Sequence, residues 1–201
     1  MIYDVAIIGA GVVGASIARR LSAYELSIVL IEKESDVSFG VSKANSGFIH
    51  GGFPHSSAML KVRLEVAGIR MYDRLQQELH FPFKRCGILV AAFSVEEMNT
   101  VEQLYVQGVE NQAIGIELCG RDRILTLEPK LNPDVVGGLY APAGGVVEPY
   151  RLVFSLIESA QKNGVALRTQ CTVSAAEKKG DVFTIHSEQG DSIQARYIVN
   201  A

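Results

Sequence analysis

Residues 7–14 read Ile-Ile-Gly-Ala-Gly-Val-Val-Gly, and an acid, Glu32, closes the next apolar run. The glycines follow a strand-like run, Tyr3 to Ile8, and open a helix-like run, Val12 to Tyr24. Glu32 stands 18 residues after Gly14. A lone GxGxxG says little, but one in a strand–helix–strand frame with its acid in place specifies a dinucleotide-binding βαβ unit. Gly9 permits the tight turn out of the strand, Gly11 lets the backbone approach a pyrophosphate, and Gly14 lets the helix pack against the sheet. The helix N-terminus offers N–H groups and a partial positive charge to phosphates. Glu32 is placed to accept both adenosine ribose hydroxyls, and its charge disfavours a 2′-phosphate. Ala18 keeps the same helix face thin. The competing reading is a βαβ unit whose glycines serve packing alone.

The 201 residues, 48% hydrophobic and 20% charged, suffice for one domain or one and a half. A net charge of −3 and scattered Lys and Arg leave no nucleic-acid footprint. No apolar run reaches the roughly 18 residues of a membrane span. Met1 is followed almost at once by a strand, so no targeting peptide is expected. The expected location is the cytoplasm, with peripheral placement at the inner face of the membrane left open. Cys86, Cys119 and Cys171 form no CxxC, and their odd number argues against a disulfide framework. His50, His55, His80 and His186 lack metal-ligand spacing, so no metal site is expected.

Residues 33–57 are polar and glycine-rich but carry Phe48 and Ile49, which suits a functional loop better than a disordered one. An apolar stripe from Met59 through Val62, Val66, Ile69, Tyr72 and Leu75 to Leu79 predicts one helix over about 57–79. A strand is expected over Phe83 to Phe93, with Gly87 as a bulge, then a helix from Val95 to about Asn111. Ser94 and Glu97 form a capping box for that helix. Short strands at 116–118 and 136–141 flank a helix over 120–128. Pro149 opens a further helix, which Asn163-Gly164 stops. Runs at 165–168, 172–177, 182–186 and 192–199 predict a β-meander. Tyr197-Ile-Val-Asn-Ala is an apolar strand without a polar tail, so the C-terminal remainder is expected to be missing.

The fingerprint and the segments Ser42-Lys-Ala-Asn-Ser-Gly-Phe-Ile-His-Gly-Gly, Arg85-Cys-Gly-Ile-Leu-Val-Ala, Leu127-Glu-Pro, Gly145-Val-Val-Glu-Pro and Tyr197-Ile-Val-Asn-Ala together resemble a known family. It is the FAD-dependent D-amino-acid-oxidase/glycerol-3-phosphate-dehydrogenase superfamily. Within it the chain is similar to bacterial glycerol-3-phosphate dehydrogenase large-subunit-like proteins and to L-2-hydroxyglutarate oxidases. The resemblance runs over essentially the whole chain and implies an α/β fold. Residues 1–81 and 146–201 would form a Rossmann-like FAD-binding domain, a parallel sheet plus a β-meander. Residues 82–145 would form part of an inserted α+β substrate or cap domain.

The resemblance further implies FAD with its ADP half on Gly9, Gly11, Gly14, Glu32 and Lys33, and the backbone of Val173 near the adenine. The Ser42–Gly52 loop would run beside the pyrophosphate, ribityl chain and flavin ring. Ser42, Asn45 and Ser46 are short donors suited to phosphate and ribityl oxygens, and Gly47, Gly51 and Gly52 allow close approach to a flat ring. His50 is the candidate catalytic residue, able to donate where reduced flavin builds negative charge. It is alternatively a covalent flavin attachment point or a surface histidine on a structural loop. Lys43, Arg63 and Arg85 are either anion-attracting groups or solvated charges.

The implied reaction is oxidation of the CH–OH group of a small anionic substrate by hydride transfer to flavin. Glycerol 3-phosphate and L-2-hydroxyglutarate are the leading candidates. Amine or amino-acid oxidation, and a non-catalytic FAD-binding fragment or subunit, are the alternatives. The electron acceptor (quinone, oxygen or a partner protein) and additional subunits stay open. The glycerol-3-phosphate enzymes carry Arg and Lys where this chain has Ala44 and Gly47, which leans toward the 2-hydroxyacid oxidases. Glu25 stands where a helix-ending glycine is usual in the family, at an expected cost below about 1 kcal/mol.

Overall fold

A computed structural model describes residues 1–201. Along the chain the elements are β1 (Ile2–Ile8), α1 (Val12–Leu21), β2 (Ile28–Ile31), β3 (Phe48–Ile49), α2 (Leu60–Ile69), α3 (Tyr72–Leu79), β4 (Phe83–Lys84) and β5 (Ile88–Ala92). There follow α4 (Val95–Glu110), β6 (Glu117–Gly120), α5 (Arg121–Leu127), β7 (Gly137–Ala141), β8 (Gly145–Val147) and α6 (Pro149–Lys162). The chain closes with β9 (Ala166–Arg168), β10 (Val173–Lys179), β11 (Val182–Ser187) and β12 (Ser192–Asn200). No helix is long and apolar enough to cross a membrane.

The chain divides into two compact units. The first comprises residues 1–46, 79–81 and 148–201. Its six-stranded sheet has the order β10-β11-β12-β1-β2-β9. Strands β12, β1, β2 and β9 run parallel, while β10, β11 and β12 form an antiparallel meander at one side. β2 reads Ile-Val-Leu-Ile and is buried at every position, as a central parallel strand covered on both faces must be. Helix α1 turns Gly14, Ala15 and Ala18 inward and packs on α6, which buries Leu152, Val153, Leu156, Ile157 and Ala160.

One strand departs from the meander expected over 165–199. β9 pairs with β2 at the opposite edge, Val29 against Ala166 and Ile31 against Arg168. It follows helix α6, and a strand that returns from a helical crossover joins its sheet in parallel; only the tightly turned strands fold as hairpins. Pro149 sits in the first turn of α6, and Gly164 follows it at φ +90°. Ser22 ends α1 in right-handed geometry, and Glu25 is not left-handed, so the strain expected there is absent.

The second unit comprises residues 47–78 and 82–147. Residues 47–78 thus pack with 82–147, whereas the sequence reading put them with the fingerprint. The reason is pairing: β3 lies inside the stretch read as loop and pairs with β8, which also pairs with β4. The strand expected over 83–93 is two strands in two sheets. It breaks at Gly87, which takes φ +75° and donates its N–H to Gly144. β5 pairs with β7, and β7 with β6. The helix expected over 57–79 is also two. At the junction the Met71 N–H reaches the Gly68 carbonyl three residues back, and glycine is a poor helix former. The α4 cap forms: Glu97 N–H donates to Ser94 Oγ at 3.2 Å, while Glu97 Oε2 accepts from Phe93 N–H, one residue earlier than the usual reciprocal partner.

Two features make the stability of each unit testable. Leu139 of β7 is fully buried with Phe53, Ala92, Val101 and Ala141. Leu139→Ala should cost about 2–5 kcal/mol, read as a lowered urea midpoint. In the first unit Asp4 Oδ2 accepts from the Ser27 backbone N–H (2.9 Å) and hydroxyl (2.7 Å), and Arg196 pairs with Oδ1 at 2.6 Å. These contacts, the backbone bond first, hold the Asp4 carboxyl below its ordinary range. A depressed carboxylate contributes stability that is present above its unfolded pKa and lost as pH falls through the folded one. Asp4→Asn should lower stability at neutral pH and flatten the acid limb of a stability–pH curve.

Candidate functional site

The site in the first unit is built where β1 runs out of sheet. Gly9 turns the chain at φ +103°, a conformation L side chains rarely adopt. A Cβ there would stand 2.2 Å from the Ala201 carbonyl oxygen, because Ala201 N–H donates to Ile8 at 2.9 Å. A Cβ on Gly14 would lie 1.9 Å from the Gly9 carbonyl oxygen. Gly9 and Gly14 are therefore demanded by the chain itself. Gly11 differs. Its backbone is extended, and a Cβ would meet only Ser42 Oγ, at 3.1 Å.

A groove of about 520 Å³ opens beside this turn. Gly9, Gly11, Glu32, Lys33, Ser42 and Val173 line it, together with Phe39, Val41, Thr172, Asn200 and Ala201. Glu32 is buried, 9% exposed. Its Oε2 accepts from Ala10 N–H at 2.8 Å and its Oε1 from Glu34 N–H at 3.1 Å. Each carboxylate oxygen retains acceptor capacity for a diol. The fingerprint acid is thus also the clasp that ties the glycine turn to β2. Ser42 Oγ accepts from Val12 N–H at 2.9 Å, which caps α1 from outside and leaves the hydroxyl proton free to donate. The first turn of α1 holds no acid. Lys33 is exposed, with Nζ 3.8 Å from Glu34 Oε1. Val173 starts β10, and two residues earlier the Cys171 N–H donates to the Glu32 main-chain carbonyl at 2.9 Å, so the backbone leading into β10 is tied to the end of β2.

Of the other residues singled out in the sequence, Asn45 folds back: its Nδ2 donates to the carbonyls of Val41 (3.0 Å) and Ser42 (3.1 Å) and shapes the loop. Ser46 is exposed and does not line the groove. Lys43 lies over the Phe39 ring at 4.0 Å, a cation–π contact. Gly47 and His50 belong to the second unit. Gly47 is buried at φ +69°, and its carbonyl accepts from Val147 N–H at 2.9 Å. His50 follows β3 with its side chain exposed. Gly51 and Gly52 have reasons within the unit. A Cβ on Gly51 would be 2.4 Å from Ala141 Cβ, and Gly52 takes φ +85°. Arg85 is consumed internally. It bridges both Asp73 oxygens (3.1 and 2.9 Å) and donates to the carbonyls of Ala143 and Ile69. Arg63 is exposed.

Phe39, Thr172, Asn200 and Ala201 were not singled out as groove residues from sequence. The signal lay in the strand order: parallel neighbours of β1 end where β1 ends, and ligands of open α/β sheets gather at those ends. Gly14→Ala must displace the Gly9 carbonyl. It should cost about 1–3 kcal/mol in stability by overpacking, read by thermal melting. It should also weaken ADP binding at least about tenfold in a calorimetric titration, because a shifted turn no longer presents the helix N-terminus.

Comparison with known proteins places these features. The chain is 41% identical over 198 residues to a glycerol 3-phosphate dehydrogenase of Caloramator mitchellensis, covering 98% of this chain and 41% of that protein. It is 29% identical over 213 residues to the human mitochondrial L-2-hydroxyglutarate dehydrogenase, covering 98% and 45%. Among solved structures, dithionite-reduced L-alpha-glycerophosphate oxidase from Mycoplasma pneumoniae with FAD bound superposes with a TM-score of 0.91 at 29% identity, covering 100% of this chain and 54% of that one. The chain spans about half the length of the relatives it matches. The profile of the DAO family, FAD dependent oxidoreductase, matches residues 4–201, and the chain belongs to that family.

Proposed function

We propose that the protein carrying this chain oxidises the CH–OH group of a small anionic substrate, with glycerol 3-phosphate first and L-2-hydroxyglutarate second. The observation that carries the reading is the groove at the β1–α1 turn, where Glu32, Gly11 and Ser42 meet with complementary capacities. The chemistry of this donor and acceptor set fits the ADP half of FAD. Glu32 keeps acceptor positions for two ribose hydroxyls and would repel a 2′-phosphate. Gly11 opens its Cβ side toward the groove, and Ser42 has a hydroxyl proton to give to a phosphate oxygen. Lys33 adds positive charge at the rim, and the backbone of Val173 flanks the adenine end.

Bound FAD supplies the two-electron acceptor for the hydride that leaves the CH–OH carbon. In this reading the exposed Ser46 hydroxyl is a donor for the ribityl region, while Asn45 keeps its loop in shape. His50 is an exposed imidazole that donates a hydrogen bond where negative charge gathers, and in its neutral form it accepts a proton. The substrate order follows the two relatives: identity is 41% to the glycerol 3-phosphate dehydrogenase and 29% to the L-2-hydroxyglutarate dehydrogenase. Ala44 and Gly47, which depart from the phosphate enzymes, keep the second substrate in play.

Anaerobic mixing of the full-length, FAD-loaded protein with each substrate tests the reading through the visible flavin absorbance. Bleaching by glycerol 3-phosphate and not by glycine is expected. Bleaching by L-2-hydroxyglutarate alone would reverse the order, and bleaching by glycine alone would replace alcohol oxidation with amine oxidation.

A further inference from the structure

His50 is followed by a segment, 51–55, without regular secondary structure, so side chains must fix its path. Three of them do. Glu65 of α2 accepts the Gly52 N–H through Oε1 at 3.1 Å. Gln107 of α4 donates from Nε2 to the Phe53 carbonyl at 2.6 Å. Asn111, which ends α4, donates from Nδ2 to the carbonyls of Gly52 (2.9 Å) and His55 (2.8 Å). Both hydrogens of that amide are therefore spent on one short stretch of backbone. Asn111 is 8% exposed, and its own Oδ1 is buried without a partner. Burying an unmet acceptor is unfavourable, and a leucine of similar size would avoid it. The residue's value at this position lies in its two donors. The left-handed Gly52 and the contact of Gly51 with Ala141 restrict the same stretch further.

We propose that Asn111 and Gln107 are positioning residues for His50. They grip the backbone just beyond it and so fix the imidazole without touching it. The inference rests on the reading of His50 given under the proposed function. Loss of the grip lowers the fraction of molecules with the imidazole in place. That falls on the rate of the chemical step rather than on substrate affinity, since affinity draws on other contacts.

The test uses the full-length, FAD-loaded protein and four variants: N111L, Q107A, H50N, and N111L combined with H50N. Q107A guards against a folding failure at the more buried Asn111. Amide hydrogen exchange is followed over 51–56, and flavin reduction by whichever substrate bleaches the parent protein. N111L and Q107A should each speed exchange in that segment about tenfold or more, with strands β1 and β2 unchanged. Each should slow flavin reduction about tenfold with KM within about twofold, and N111L should add nothing in the H50N background. Unchanged exchange over 51–56, or a slowing by N111L that persists undiminished in H50N, overturns the proposal. If H50N alone leaves reduction untouched, the reading of His50 fails and takes the proposal with it. If H50N slows reduction and N111L does not, the positioning role alone falls.

Discussion

The carbonyl of Gly9 and the Cα of Gly14 share a space too small for a methyl group. That contact sets the distance between α1 and the sheet, and the rest of the first unit is arranged around it. The N-terminus of α1, at Gly11, borders the groove. Small residues on its inner face, Ala15 and Ala18, extend the same close approach along the helix. The buried Glu32 then ties the turn to the neighbouring strand through the Ala10 N–H. A ligand reaching this place meets donors that are already fixed, so little reorganisation is needed on binding.

Much of this was legible in the sequence because the constraints are local. The glycine triplet, its acid, the capping box at Ser94 and the Pro149 start of α6 are each read within a few residues, and each stands where expected. What escaped depends on partners far along the chain. β3 is two residues long and exists only because β8, some hundred residues later, pairs with it. The apolar run at 165–168 has the same composition whether it joins a meander or returns in parallel beside β2, and only the crossover decides. The stripe from Met59 to Leu79 keeps helical spacing through the break at Arg70 and Met71, since the pattern of buried faces survives a tightened turn that the hydrogen bonds do not.

The site shows the same division. Glu32 and Gly11, marked out by spacing, both line the groove, whereas Asn45, a short donor suited by type to phosphate and ribityl oxygens, spends its amide on the carbonyls of its own loop. Arg85 looked like a free cation and is a four-way tie within the second unit, a use that suits a planar, multiply donating group. Gly51 and Gly52 are read from sequence as room for a flat ring. The structure gives both a steric reason without one. Such residues carry two meanings in sequence because short polar groups and glycines serve backbone geometry as readily as ligands.

The pairing of β1 with β12 carries a consequence for biosynthesis. Ile2 lies against Gln194, 192 residues away, and the match continues to Ile8 with Asn200. The central pair of the large sheet can form only after the last of these residues has left the ribosome. Residues 47–78 and 82–147, which pack largely among themselves, have all been synthesised before that. The second unit is therefore complete in sequence while β1, already followed by its partner β2, still lacks β12. Loop closure over such a span is slow relative to local pairing. The groove, which Val173, Asn200 and Ala201 help to line, likewise cannot be complete until β12 has been made.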